Sequence, residues 1–267
     1  MIAAPARSRG LDIVDLTVRF GGLVAVDRLT MHVEPGEIVG LIGPNGAGKS
    51  TVLNAISRFV PATAVTLSVA GHDVQHLPAH RLLALGCART FQSPQLIPDR
   101  SVFANVLLGH HPGLSDFVAA LLRTPALRRS EAAGIERTRE LLAFCGLESW
   151  AQRRVGEIPY GARKAVEIAR ALVSGPKLLL LDEPVAGITV EEKRDIVALL
   201  QSIRGSLGCG LLVVDHDMSF IHGLCDRVYV MDFGELIASG APAAVFEDQR
   251  VIDAYLGPPE PEGSEPA

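Results

Sequence analysis

"GPNGAGKS", residues 43 to 50, follows the apolar run "IVGLI" and leads into "TVLNAISRF". The stretch fits GxxxxGK[ST] between a strand and a helix, the setting in which that pattern binds phosphate. Gly43, Gly46 and Gly48 allow a tight loop, completed by Pro44, Asn45 and Ala47, and Thr51 follows in the first helical turn. Backbone N–H groups of such a loop and of the helix N-terminus converge on one point and cradle phosphates. Lys49 adds a positive charge for the β- and γ-phosphates, and the Ser50 hydroxyl is offered to Mg2+.

Chemistry at such a loop needs a second metal ligand and a means of activating water. "LLLLDEP", residues 178 to 184, supplies both. Four leucines form a buried strand, and two carboxylates emerge at its carboxyl end. Asp182 is expected to hold Mg2+, directly or through water. Glu183 is the expected general base. A bare DEP can also be a helix N-cap with a capping acid; the neighbouring phosphate loop favours the catalytic reading.

The rest of the chain frames these motifs. Its 267 residues, 48% of them hydrophobic, suffice for one large domain or two closely joined subdomains. Lys and Arg total 25 against 30 Asp and Glu, and no long basic run interrupts the sequence, which argues against a nucleic-acid partner. Cys87, Cys145, Cys209 and Cys225 are far apart and suit reduced core thiols of a cytoplasmic protein. His72, His76, His80, His110 and His111 form no metal-ligand pattern and read as surface. No signal-peptide core and no run near the roughly 18 apolar residues of a membrane span is present, so no direct span is expected.

"LDIVDLTVRF" and "VAVDRLTMHV" read as strands separated by Gly21 and Gly22, with another strand near "TLSVAG". From about 94 to 158 the pattern turns helical in "SVFANVLLGH", "DFVAALLR" and "EAAGIERTRELLAFCGL", broken by Pro112 and Pro125. An alternation follows: a helix over 162–174, the leucine strand, a helix over about 190–205, "GLLVVD", a helix over 217–224 and "RVYVMD". The expected fold is α/β with a mostly parallel core sheet, an antiparallel β-subdomain and an inserted helical subdomain. One domain is expected over 11–256, with a flexible 1–10 and a disordered tail, "GPPEPEGSEPA", over 257–267. In the 162–174 helix, Ala165, Ile168, Ala169 and Leu172 make an apolar stripe, and Arg163 and Glu167 form an i, i+4 pair on another face.

Gln92 in "RTFQ", His216 in "VVDHDM" and "IPYGARKAVEIARAL" at 158–172 stand, with the two motifs above, in the order and spacing of an ATP-binding cassette. The chain resembles the ATPase subunit of ABC transporters over about 11–256. "VRFGGLVAVD", "LLRTPALRRSE", "DEPVAGI" and "VIDAYLG" make it similar in particular to subunits of branched-chain amino acid importers. The resemblance implies a P-loop fold, ATP and Mg2+ as cofactors, and ATP hydrolysis coupled to solute import. It implies a peripheral place at the cytoplasmic face of the membrane, beside permease subunits and a second cassette. Branched-chain or other amino acids are the expected solutes, with urea and amides as an alternative. A weakly hydrolysing regulatory dimerisation module is the rival of another class.

The resemblance also assigns residues. Phe20 takes the place of the A-loop aromatic that stacks on adenine. Gln92 is the Q-loop residue that senses Mg2+ and water, and His216 the switch histidine that bonds the γ-phosphate. Pro159, Tyr160, Gly161 and Ala162 occupy the signature, which binds the γ-phosphate of ATP held by a head-to-tail partner cassette. Here the sequence departs from the family's L-S-x-G-Q. Pro159 offers neither hydroxyl nor N–H, Ala162 replaces glutamine, and Thr189 stands where the D-loop usually ends in Asp or Asn. The Gly161 backbone and the helix dipole are left as phosphate binders. Because the departures lie on the surface lent to the partner, while Gly43 to Ser50, Gln92, Asp182, Glu183 and His216 are intact, a heterodimer is expected.

Overall fold

A computed structural model describes residues 9–110 and 125–256. Strands β1 (Leu11–Phe20) and β2 (Leu23–Val33) form an antiparallel hairpin across Gly21, whose φ of +58° suits a residue without a Cβ. β3 (Ile38–Ile42) enters the core and feeds α1 (Lys49–Ile56). β4 (Thr66–Val69) and β5 (His72–Asp73) extend the first sheet, in the order β2-β1-β4-β5. After β6 (Cys87–Arg89) come α2 (Val102–Leu107), α3 (Pro125–Phe144) and α4 (Tyr160–Leu172). β7 (Leu178–Asp182), α5 (Val190–Leu207), β8 (Gly210–Val214), α6 (Met218–Leu224) and β9 (Arg227–Asp232) then alternate. β10 (Glu235–Gly240) and the short helices α7 (Pro242–Phe246) and α8 (Gln249–Leu256) complete the described chain.

The second sheet has the order β10-β9-β3-β8-β7-β6. Its strands run parallel except β10, which is antiparallel to β9. Strand side chains alternate between faces, and here both faces are covered. Ile38, Leu179, Leu181, Leu211 and Val213 enter the core shared with the helices that follow β6, β7 and β8. Val39, Leu41, Leu178, Leu180, Leu212 and Val214 enter the other, under α1 and the antiparallel sheet. This explains the unbroken leucines of β7, since a strand buried on both faces has no polar positions to offer.

The helical part is tied down by polar groups as well as packing. Ser101 caps α2 by accepting the Ala104 N–H at 3.1 Å. Fully buried Asn105 accepts the Ile97 N–H at 2.7 Å and donates to the Ile97 and Ser101 carbonyls, both at 3.0 Å. Pro125 is the first residue of α3, where its missing N–H costs nothing. The "DFVAALLR" helix, His111, Pro112, residues 1–8 and the 257–267 tail lie outside the described residues. Gly10 already accepts the Ala70 N–H at 2.9 Å, so strand-like pairing begins before residue 11.

Three expectations need correction. Helix α4 spans Tyr160–Leu172 rather than 162–174, and Glu167 does not pair with Arg163. Glu167 is 2% exposed, accepts the Phe91 N–H at 3.1 Å and lies 3.8 Å from Arg170, because the 91–95 segment covers that face. Arg163 instead donates to the Ile158 and Gly156 carbonyls, both at 3.1 Å. His72, His76 and His80 are exposed, whereas His110 is half-buried, with Nε2 3.4 Å from Ser130 Oγ. The four cysteines are free, and burial pushes their thiols up to about 12, which leaves them unreactive.

Leu181, fully buried between β7 and the helices, tests the two-faced core. Leu181→Ala should lower the unfolding free energy by about 2–5 kcal/mol through lost burial and an unfilled cavity. The check is a denaturant titration with a lower midpoint at unchanged m-value.

Candidate nucleotide site

The phosphate loop is shaped by what its glycines must avoid. A Cβ on Gly43 (φ +150°) would lie 2.1 Å from the Met231 carbonyl oxygen, and one on Gly48 (φ +101°) 2.6 Å from that of Ala25. These two glycines let the loop nest against β9 and β2. Gly46 (φ +85°) faces open space and needs only its left-handed conformation. No side chain caps α1, and its first amide bond runs from Val52 to the Gly48 carbonyl at 3.0 Å. The Lys49, Ser50 and Thr51 amides therefore point outward, as the first N–H groups of a helix do.

A cleft of about 320 Å3 opens over these donors. Asn45, Gly46, Gly48, Lys49, Ser50 and Thr51 line one side, Leu23, Val24, Ala25 and Phe233 another, and Glu183 its end. A concavity lined by glycines, free amides and an ammonium fits a polyphosphate chain. Lys49 Nζ donates to the Gly43 and Pro44 carbonyls at 2.7 and 2.8 Å, folded over its own loop. Burial lowers its pKa, and the charges of Glu183 and Asp182 oppose that.

The carboxylates emerge as the two-faced strand requires. Asp182, largely buried, ends β7, and Glu183 follows in a left-handed conformation with φ of +48°. The Glu183 N–H is held by the Val214 carbonyl at 2.8 Å. Its side chain receives Gln92 Nε2 at 2.7 Å on Oε2, and His216 Nδ1 stands 3.9 Å from Oε1. Gln92, Glu183 and His216, distant in sequence, thus meet at the carboxyl ends of the central strands. Beside them Asp215 is buried, which raises its pKa, and it accepts the Asp217 N–H at 3.0 Å.

Among the described residues no cluster of three or more His, Cys, Asp or Glu could hold a metal. Mg2+ at a phosphate loop needs no such cluster, since it takes one or two protein oxygens, phosphate oxygens and water. Ser50 and Asp182 are the donors that suit it here.

Three functional candidates escaped the sequence reading. Arg89 of β6 donates to Asp182 Oδ2 at 2.9 Å, to Asn54 Oδ1 at 2.8 Å and to Ser57 Oγ at 3.2 Å. Its guanidinium also lies 5.8 and 5.2 Å from the Phe59 and Phe91 ring centroids. An arginine inside the apolar "CARTF" was the available signal. Lys164 is the second, on the inner face of α4. Phe233 is the third: it is 88% exposed at the cleft rim, whereas Phe20, 48% exposed, is not among the residues lining the cleft.

The signature turn is also placed. Pro159 is the N-cap of α4 with no side-chain cap bond, and half-exposed Tyr160 follows. The Gly161 N–H donates to Glu192 Oε1 at 3.1 Å. The other oxygen of Glu192 accepts the Thr189 N–H at 2.9 Å, and Thr189 Oγ1 accepts the Glu192 N–H at 3.3 Å. Thr189 is therefore the N-cap of α5 in a capping box, a local reason for a hydroxyl residue where the D-loop usually has another capping side chain. The Thr189 and Gly161 amides hold the Glu192 carboxyl below its ordinary pKa. Ala162 lies beside Glu192 in a cleft between α4 and α5.

The family described as ABC transporter matches residues 26–186, from β2 through the phosphate loop to Glu183 and beyond. The chain belongs to the ABC transporter family. It is an ATP-binding cassette, the ATPase component of such a transporter. The family described as branched-chain amino acid ATP-binding cassette transporter matches residues 235–257. The cassette is 37% identical over 248 residues to the high-affinity branched-chain amino acid transport ATP-binding protein BraF of Pseudomonas aeruginosa, covering 92% of this chain and 97% of that one. It is 36% identical, over the same shares, to LivG of Escherichia coli K12. A nucleotide-free ATP-binding cassette from an ABC transporter superposes with a TM-score of 0.81 at 30% identity, covering 94% of this chain and 100% of that one. An ATP-binding cassette in its ADP conformation also gives a TM-score of 0.81, at 29% identity over 94% of this chain and 99% of that one.

The Arg89–Asp182 pair is nearly buried, with 9% and 12% side-chain exposure. Arg89→Met should leave Asp182 without its counter-charge and lower the unfolding free energy by about 3–5 kcal/mol. Chemical denaturation of the nucleotide-free protein checks this.

Proposed function

We propose that this cassette hydrolyses ATP at the cytoplasmic face of a membrane to drive import of branched-chain amino acids or related amino acids through permease subunits. The observation that carries the reading is the meeting of Gln92, Glu183 and His216 at the end of a glycine-lined phosphate cleft. The names of the relatives and the match over residues 235–257 support the solute class. No helix of the described residues is long and apolar enough to cross a membrane.

In this reading residues 43–51 bind the phosphates through backbone amides, and Lys49 leaves the Gly43 and Pro44 carbonyls to neutralise the β- and γ-phosphates. Phe20, half-exposed at the end of β1 and outside the phosphate cleft, is given the adenine-stacking role by the resemblance. Mg2+, held by Ser50 and Asp182 with Gln92 nearby, would offset charge on the phosphate oxygens. Glu183 takes the proton of the attacking water, Gln92 orients that water, and His216 donates to the γ-phosphate.

Glu183→Gln should leave ATP affinity intact and slow hydrolysis by about 10²–10⁴-fold, the range of a positioned base. Steady-state phosphate release alongside equilibrium ATP binding reads both quantities. A rate within twofold of wild type would remove Glu183 from the role.

We further infer that the working unit pairs this cassette with a second one whose signature keeps its serine. Gly161 supplies the main donor for the partner's nucleotide, and in the single chain the Glu192 carboxylate occupies it. Pro159 adds no donor. A homodimer would carry this weak signature in both sites. Pro159→Ser should speed hydrolysis by the chain alone, because each added neutral hydrogen bond is worth about 0.5–1.5 kcal/mol. Rates for the chain and the variant, each alone and mixed with a candidate partner, are the measurement; a fast homodimer indifferent to the substitution excludes the asymmetric assembly.

A further inference from the structure

We propose that Lys164 is a positioning residue for ATP hydrolysis: its ammonium binds the main-chain carbonyls of Gln92 and Glu183 and so sets the distance between the two side chains that handle the attacking water. The inference rests on the reading of Glu183 as the base and adds a residue to which the resemblance assigns no role.

Lys164 is 3% exposed, and among the described residues no carboxylate lies within ion-pair distance of it. Its Nζ donates to the Gln92 carbonyl at 2.7 Å and the Glu183 carbonyl at 3.1 Å, and sits 5.8 Å from the Tyr160 ring centroid. A buried ammonium is costly unless hydrogen-bonded, and here the acceptors are the backbones of two residues at the reacting end of the cleft. Burial lowers its pKa, while the charges of Glu167, Glu183, Asp215 and Asp182 act in the opposite sense.

Glu183 has the greater need of it. A non-glycine residue at φ of +48° persists only where its surroundings hold it. The Val214 carbonyl holds its N–H, and Lys164 with the Ala186 N–H at 3.2 Å holds its carbonyl, so both backbone groups are pinned. The same ammonium pins Gln92, whose Nε2 reaches Glu183 Oε2 at 2.7 Å. One turn further along α4, Glu167 binds the Phe91 N–H and Arg170 binds the Gln95 carbonyl. Positions 164, 167 and 170 lie on one helix face and together grip the backbone of 91–95. Because α4 begins at the signature turn, the water-handling pair is referenced to the helix that faces the partner's nucleotide.

The test is a double-mutant cycle on the full chain with Mg·ATP. Lys164→Met should lower kcat about 10- to 100-fold, the cost of misplacing a reacting group by a fraction of an ångström to an ångström, with ATP affinity unchanged. In a Glu183→Gln background, where no base remains to be positioned, the same change should lower the residual single-turnover rate by less than about twofold. Lys164→Arg, which keeps the charge and can reach both carbonyls, should restore most of the wild-type kcat. Lys164→Gln, too short to bind both carbonyls, carries the same cycle should the methionine variant not fold. Equal losses in both backgrounds, a parallel loss of ATP affinity, or an unchanged kcat in the wild-type background would each overturn the proposal. The wild-type and Glu183→Gln rates, read in the same series, report separately on the hydrolysis reading itself.

Discussion

Strand β7 is buried on both faces, and the chemistry of the site follows from that. With Leu178 and Leu180 in one core and Leu179 and Leu181 in the other, no polar side chain fits along the strand. Its carboxylates can stand only at the carboxyl end, beside the carboxyl ends of β3 and β8, which carry the phosphate loop and His216. Crowding around that end then demands partners. Arg89 neutralises Asp182, and Gln92 takes up one oxygen of Glu183. The site is a consequence of where a two-faced strand may become polar.

The second organising element is α4. Its apolar stripe seats it on the core, and another face, which carries Lys164 and Glu167, is covered by residues 91–95. The helix is clasped on both sides, by the core and by the 91–95 segment. It carries the signature turn at one end and grips the Q-loop along its length, so the surface offered to a second cassette and the residues that act on this chain's own nucleotide share one support. Glu192 closes the remaining gap from α5, lending its carboxylate to the Gly161 amide where a phosphate oxygen of the partner's nucleotide would come. In the proposed pairing, binding a partner would exchange one anion for another at this amide.

Much of this was legible in the residues. The glycines of 43–48, the leucines of β7 and the alternation after 158 place the sheet, and the phosphate loop with "DEP" points to the nucleotide site, whereas Gln92 and His216 were assigned only through the resemblance to ATP-binding cassettes. What escaped depends on contacts between distant segments. Nothing local tells a lysine on an amphipathic helix that a loop some 70 residues earlier will cover it, so Lys164 drew no reading and Glu167 was expected only to pair with Arg163. Arg89 was visible as a charge in an apolar strand, but its partner was not. Thr189 looked like a loss on the partner-facing loop until the capping box with Glu192 gave it a local role. Phe233, in a turn beside Gly234, carried no pattern that marks a cleft rim.

The central claim is that the cleft is half of a site, complete in its own phosphate loop and finished by a second cassette. The direct measurement is the rate of ATP hydrolysis per chain as the protein concentration is varied over about a hundredfold at saturating Mg·ATP. The account predicts a rate per chain that climbs with concentration and levels off once the cassettes are paired. A rate per chain that stays constant across the range would show that one cassette suffices and would contradict the account.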